Sequence, residues 1–266
     1  MSAHLEQILS DTRKRVGRLQ RERGELDLRA ANASPPRFFG GFAPDGSVGV
    51  IAEVKRRSPS AGAIQASLDP VAHARAYAAG GAVAVSVLTE PAHFGGSMDD
   101  LQRVVAAVPL PVLCKDFIVD ELQLVEARAA GASAVLLIAR ILGSGRLREF
   151  IVAAGRLELG VLVEVHTVHE LDAAIAAGAA VVGVNNRDLD TLAVDLSNGE
   201  RVLRAVPRNL VAVSESGIET RADVERLATA GADLILVGTS LARLSDPQAA
   251  VRALCGVPRR ARGEAA

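Results

Sequence analysis

The sequence predicts an α/β protein, a (β/α)8 TIM barrel with an N-terminal helical extension. Three observations carry this. From Val48 onward, short apolar runs alternate with charged segments of helical period, eight times over about 210 residues. The runs are near-continuous in Val, Leu and Ala, the pattern of strands buried on both faces. The helix-to-strand junction also repeats. AAGGAVAVSVL, AAGASAVLLI, AAGAAVVGV and TAGADLILV place glycines at 80, 131, 178 and 231, two strand–helix units apart each time. A doubly wound open sheet is the alternative, but no G-x-G-x-x-G opens the first helix of the repeat.

Taken in order, Leu5, Ile8, Leu9, Val16 and Leu19 form a helical stripe in the charged opening segment. Residues 32 to 46, NASPPRFFGGFAPDG, read as a connector. VGVIAEVK is the first strand and RRSPSAG its loop. Asp69-Pro70 is an N-cap with a first-turn proline, and that helix runs to Gly80-Gly81. VAVSVLTE is the second strand, and Ser97 caps the helix after it. PVLCK is the third, with Asp120 as the next cap, and AVLLI the fourth, with a helix around Leu147–Leu157. GVLVEV is the fifth, followed by a capping box from Thr167 to Glu170. AVVGVN is the sixth, with a second expected capping box from Ser197 to Glu200. NLVAVSE and DLILVG are the seventh and eighth, followed by helices starting at Thr220 and about Asp246. The expected organisation is an extension over 1–46, a barrel over 47–256 and a flexible tail over 257–266.

Composition narrows the function. Net charge is −1, and there is no Trp and one Tyr. That removes the basic or aromatic surface on which nucleic acid would bind, and it gives no electrostatic argument for an anionic membrane. Cys114 and Cys255 match no metal spacing and cannot form a disulfide scaffold. The N-terminus has no apolar signal core, and no uncharged run is long enough to span a bilayer. The expectation is a cytoplasmic protein without metal, nucleic acid or membrane.

Only three of its 30 cationic residues are lysines. Two of them, Lys55 and Lys115, end apolar runs. A lysine there is either a snorkelling cation or a reactive group. In a barrel, catalytic groups come from the C-terminal strand ends. Those ends read Glu53 and Lys55, Thr89 and Glu90, Lys115 and Asp116, Glu164 and His166, Asn185 to Asp188, Glu215 to Gly217, and Gly238 to Ser240. Ser216-Gly217 and Gly238-Thr239 follow strands seven and eight, where backbone amides of small residues make an anion nest. Glu164 lies between valines, so its charge requires a partner or a raised pKa. Lys115 and Glu164 are expected to face each other as acid and base, against the plainer reading of buried ion pairs. His166 and His169 lack a third metal ligand and are read as capping or surface residues.

In order, IAEVKRRSPSAG, SVLTEPAHFGGS, PVLCKDFIVD, EARAAGASAVLLI, LVEVHT, GVNNRDLDT, SESGI and LVGTSL resemble the indole-3-glycerol phosphate synthase family of tryptophan biosynthesis. The motifs cover about residues 48 to 242, and Cys114 and Ala61 stand where that family often has basic residues. The resemblance implies a lyase, working without a cofactor. It converts 1-(2-carboxyphenylamino)-1-deoxyribulose 5-phosphate to indole-3-glycerol phosphate, carbon dioxide and water. It implies Lys115 as general acid and Glu164 as acid–base partner, with Lys55, Glu53, Asn185 and Glu215 as the polar shell. Arg187 is similar to the group that pairs with the anthranilate carboxylate. Ser216, Gly217, Gly238 and Thr239 match the phosphate site, with Ser58 near it. Phe94, Phe117 and Leu136 would wall the aromatic ring. The expected partner is this phosphorylated small molecule, bound by a monomer or weak homodimer, with residues 1 to about 45 as a lid. Two other readings stay open: a class I aldolase with Lys115 as Schiff-base nucleophile, and a barrel retained as an interaction partner.

Overall fold

Eight parallel strands close on themselves in the computed structural model, which describes residues 2–37, 39–41, 43, 45–260 and 262. They are β1 Gly49–Val54, β2 Ala84–Leu88, β3 Val112–Lys115, β4 Ala134–Ile138, β5 Gly160–Val165, β6 Val181–Asn185, β7 Val211–Glu215 and β8 Leu234–Val237. Neighbours in sequence are neighbours in space, and β1 pairs with both β2 and β8. The predicted barrel and its eight strands are thus observed.

Caps written in the sequence start most of the helices. Counting from the N-terminus, these are α1 Ala3–Leu19, α2 Arg23–Asn32, α3 Pro70–Gly80, α4 Met98–Ala107 and α5 Glu121–Ala129. They continue with α6 Ala139–Arg156, α7 Val168–Ala177, α8 Leu196–Ala205, α9 Arg221–Thr229 and α10 Pro247–Leu254. Asp69, Ser97, Asp120, Thr220 and Asp246 cap as expected. Two expected capping boxes differ. Ser197 lies inside α8, because Asp195 accepts from the Ser197 and Asn198 amides and takes the cap. Thr167 does cap α7, but Glu170 accepts from the backbone N of His166 instead of Thr167. Two local elements have no counterpart in the sequence reading. They are a short antiparallel pair, Arg57–Ser58 with Gly62–Ala63, and a short helix, Pro91–Phe94.

Side chains alternate along each strand. Outward residues such as Val50, Val85, Val135 and Val182 pack with the helices. Inward residues Ile51, Leu113, Leu136, Leu162, Val213 and Leu236 fill the barrel. That inner core continues into the N-terminal extension. Leu5, Ile8 and Leu9 of α1 belong to it, and so does Phe39. Phe39 sits at the opposite end, where a Cβ on Gly160, first residue of β5, would meet its Cβ at 3.2 Å. Of the described residues of the extension, those of α1 reach the C-terminal mouth, while Phe39 of the connector sits at the N-terminal end of the barrel.

The described part of the tail expected over 257–266 makes firm contacts, residues 261 and 263–266 lying outside the described residues. Val257 is buried and its carbonyl accepts from Val48 N at 2.8 Å. Arg262, expected to fray, is buried. Its guanidinium donates to Asp233 Oδ2 and to the Gly231 carbonyl, each at 2.6 Å. Five donors on a planar fork let one arginine satisfy several acceptors at once.

Candidate active site

The C-terminal strand ends open into a cavity of about 470 Å³. Its floor is a charged cluster. Glu53 is the fifth residue of β1 and points inward, as does Lys115 at the end of β3. Lys115 Nζ donates to Glu215 Oε2 at 2.7 Å and stands 3.4 Å from Glu53 Oε2. Lys55 Nζ holds the other Glu53 oxygen at 2.7 Å. Burial alone would depress the Lys115 ammonium. Glu215, Glu53 and Glu164 outweigh it and hold the lysine protonated above its ordinary range. Burial would likewise raise Glu53, but the two lysines pull it below the usual carboxylate range. Glu215 goes the other way. Burial and the carboxylates of Glu164 and Glu53 push it up to about 7 despite Lys115.

Two glycines make room for these carboxylates. Register sets Asn185 of β6 beside Glu215 of β7, and Glu215 leans over Gly183. A Cβ at Gly183 would stand 2.0 Å from Glu215 Oε1. A Cβ at Gly238 would stand 2.3 Å from Glu53 Oε1. Both sites use glycine for close approach rather than for backbone freedom.

Of the residues to which the resemblance assigned a catalytic or binding role, all but one line this cavity: Glu53, Lys55, Ser58, Phe94, Lys115, Phe117, Leu136, Glu164, Asn185, Arg187, Ser216, Gly217, Gly238 and Thr239. Glu215 is the exception, fully buried beneath the floor. The expected Lys115–Glu164 pairing takes a different form. Glu164 acts on the ammonium through space, while Glu215 bonds it and Glu53 stands beside it. Register explains this. Lys115 is two strands from Glu164 around one side of the barrel, but its long stem reaches across the axis to β7.

One wall is apolar. Phe94 and Phe117 have ring centroids 6.0 Å apart, and Leu136 and Ile138 of β4 continue the surface. Opposite lie the loops after β7 and β8. Ser216 and Gly217 adopt successive left-handed conformations, φ 70° and 74°. Asn186 Nδ2, just past β6, donates to the Ser216 carbonyl at 2.9 Å, and Ser240 Oγ donates to the Ile218 carbonyl at 2.9 Å, the second bond tying the β7 and β8 loops together. Arg187 lines the cavity and donates to the Leu192 carbonyl at 2.7 Å. Among the described residues it pairs with no carboxylate.

The sequence reading expected a lid over residues 1 to about 45 but named none of the side chains that roof the cavity. His4, Leu5 and Ile8 line the cavity from α1. Arg15 Nη2 donates to Asp116 Oδ1 at 2.7 Å, and Asp116 Oδ2 accepts from Thr89 Oγ1 at 2.8 Å. Asp11 stands 3.2 Å from His93 Nε2, and Ser2 N donates to Asp190 Oδ1 at 2.5 Å. The signal available was the stripe of α1; nothing local names its partners. Arg243, beside the β8 loop, was also passed over. His166, read as a capping or surface residue, is buried, and Glu170 turns back to bond its backbone N.

Fold and site together define an enzyme of the (β/α)8-barrel class, with a lysine–carboxylate centre at the C-terminal mouth. A family model described as indole-3-glycerol phosphate synthase matches residues 5–254. The chain belongs to the indole-3-glycerol phosphate synthase family. It is 47% identical over 227 residues to the indole-3-glycerol phosphate synthase of Mycobacterium avium, covering 85% of this chain and 84% of that one. It is 48% identical over 256 residues to that of a Nocardioides species, covering 95% and 98%. Among solved structures, a thiamine phosphate pyrophosphorylase from Pyrococcus furiosus aligns with TM-score 0.58 at 17% identity, covering 78% of this chain and 93% of that one. That likeness concerns the fold. No described helix is long and apolar enough to cross a membrane.

Proposed function

We propose that Lys115 is the general acid and Glu164 the acid–base partner in this family's reaction, the closing of the indole ring. The ring carbon that bears the carboxylate attacks the ketone carbon, and Lys115 donates a proton to the carbonyl oxygen. The ring–carboxylate bond then breaks, carbon dioxide leaves and its electron pair restores the arene. The new hydroxyl departs as water with a second proton, while a base removes the proton from the neighbouring carbon. Glu164 serves this dehydration. Glu215, buried under the floor, acts by holding Lys115; Glu53 and Lys55 complete the charged floor, and Asn185 lines the cavity beside it.

The environment of the Lys115 ammonium carries this reading. A lysine bonded by one buried carboxylate and faced by two more stays protonated, which suits a proton donor. A Schiff-base nucleophile requires the free amine. Substrate binding follows the walls. The loops holding Ser216, Gly217, Gly238 and Thr239 take the phosphate, with Ser58 nearby. Arg187, a cation without a carboxylate partner, takes the anthranilate carboxylate. Phe94, Phe117 and Leu136 take the ring. Fixing both ends folds the chain over the arene and orients the attack. Residues 1–46 belong to this scheme as a lid through α1, over a barrel that starts at about residue 47. A cytoplasmic monomer or weak homodimer without nucleic-acid or membrane partners completes the proposal.

The test is product fluorescence in Lys115→Ala and Glu164→Gln, with borohydride treatment in the presence of substrate. Turnover falling by about a thousandfold or more in both, without a covalent adduct, is expected. Full activity in both variants, or an adduct at Lys115, would refute the assignment.

A further inference from the structure

His166 is a buried titratable side chain that the scheme above leaves unused. It lies just past the end of β5 and two residues beyond Glu164, so both side chains leave the same face. Its Nε2 stands 3.5 Å from Glu164 Oε1. Both atoms are shut off from water, and neither has a hydrogen-bond partner. The far edge of the ring is held. Glu170 Oε2 accepts from the His166 backbone N at 2.7 Å and stands 3.3 Å from Nδ1. The His166 carbonyl accepts from Asn198 Nδ2 at 3.1 Å. A donor and an acceptor, both buried and both unpaired, face each other just beyond bonding geometry. Leaving each unpaired is costly, because a buried polar group forfeits its hydration without a partner to replace it.

The charge balance points the same way. The floor sets three buried carboxylates, Glu53, Glu164 and Glu215, against two ammoniums, Lys55 and Lys115. An odd carboxylate in a desolvated cluster requires a further cation or a proton. The charged groups facing His166 are Glu164 from β5, Glu215 from β7 and Glu170 from α7. Asn198 of α8 adds a neutral contact, and Glu170 in turn faces Arg140 of α6. Burial alone would lower His166; its carboxylate neighbours outweigh that and raise it.

We propose that His166, aimed by Glu170, is a positioning residue for Glu164. Its Nε2–H closes onto Glu164 Oε1, fixes the carboxylate towards the mouth and supplies the third positive charge. No proton leaves His166 in the cycle. This rests on the reading of Glu164 as the acid–base group.

The experiment is kcat and KM of the full chain from about pH 5 to about pH 9 for wild type, His166→Gln, Glu170→Gln and Glu164→Gln. The imidazolium favours the ionised carboxylate beside it, so its loss makes that ionisation harder. His166→Gln is expected to keep KM within about threefold and lower kcat about tenfold or more, and its acid limb moves up by about one pH unit. Glu170→Gln moves the limb the same way by less. An inactive Glu164→Gln beside an unmoved limb in His166→Gln overturns this inference alone. Wild-type turnover in Glu164→Gln overturns the Glu164 assignment and this inference with it. Should His166→Gln not fold, imidazole nitrogen shifts of the wild-type chain decide. Both ring nitrogens protonated at neutral pH supports the inference; a bare Nε2 overturns it.

Discussion

Replacing Gly183 by alanine adds one methyl group to the middle of β6 and nothing at the cavity surface. The Cβ would stand 2.0 Å from Glu215 Oε1, and 3.2 Å from a Leu162 methyl. Ordinary contact begins at 3.4 Å, so the carboxylate must retreat by about 1.4 Å. Glu215 is fully buried between β6 and β8 and cannot swing into water. Its 2.7 Å bond to Lys115 therefore breaks or drags the ammonium with it. Overpacking of this size costs about 1–3 kcal/mol of stability. A catalytic group displaced by about 1 Å loses roughly a hundredfold in rate. The expected outcome is kcat down about a hundredfold, with KM changed little because Gly183 does not line the cavity. Gly155→Ala is the control, since no atom lies within 4 Å of its Cβ and the site is helical. Product fluorescence gives kcat, and thermal unfolding shows that both variants are folded. A folded Gly183→Ala protein with wild-type kcat would show that Glu215 does not set the position of Lys115.

Three further outcomes follow from the roof, the helices and the tail. Arg15→Ala removes the buried bond from α1 to Asp116; KM is expected to rise about tenfold with a smaller change in kcat, and an unchanged KM would mean that α1 does not cover bound substrate. Glu126 on α5 lies beneath α1, where burial first, and Asp116 and Glu22 with it, push it up to about 7 from 4.5 against Arg15 and Arg29. The folded chain then keeps a proton that the unfolded chain releases, so stability falls as pH rises from about 4.5 to about 7. Glu126→Gln should melt above wild type at pH 8 and converge with it towards pH 4.5; a constant gap would refute the linkage. Arg262→Ala leaves Asp233 and the Gly231 and Leu210 carbonyls short of a donor. A lower urea midpoint, by about 2–4 kcal/mol of stability, with unchanged kcat is expected.

The strands and most caps were legible in the sequence because their signals are local. Alternation, apolar runs and an aspartate before a proline are read within a few residues. The Ser197 box failed on equally local grounds: Asp195, two residues earlier, accepts from the Ser197 and Asn198 amides and starts the helix ahead of it. Strand order then located the candidate site, since each polar group ending an apolar run was brought to one mouth. What stayed out of reach was pairing across the barrel. Lys115 has a carboxylate neighbour in sequence, Asp116, yet bonds Glu215, 100 residues away. That choice depends on closure and on the empty space above Gly183. The burial of His166 was missed for a similar reason, because the turn of Glu170 onto its backbone N is set by the geometry at the end of β5.

The N-terminal segment spans the barrel from end to end, with Phe39 at the floor and α1 at the mouth, and this has a consequence for synthesis. Residues of α1 and of the connector are made well before the partners they dock on. Phe39 awaits Gly160, and Ser2 awaits Asp190. At about 5–20 residues per second, that wait lasts roughly ten to forty seconds. Through it, the stripe of Leu5, Ile8 and Leu9 stays in water, although each of these side chains ends almost fully buried. The helix that roofs the cavity is thus open to a nascent-chain chaperone until its partners have been made.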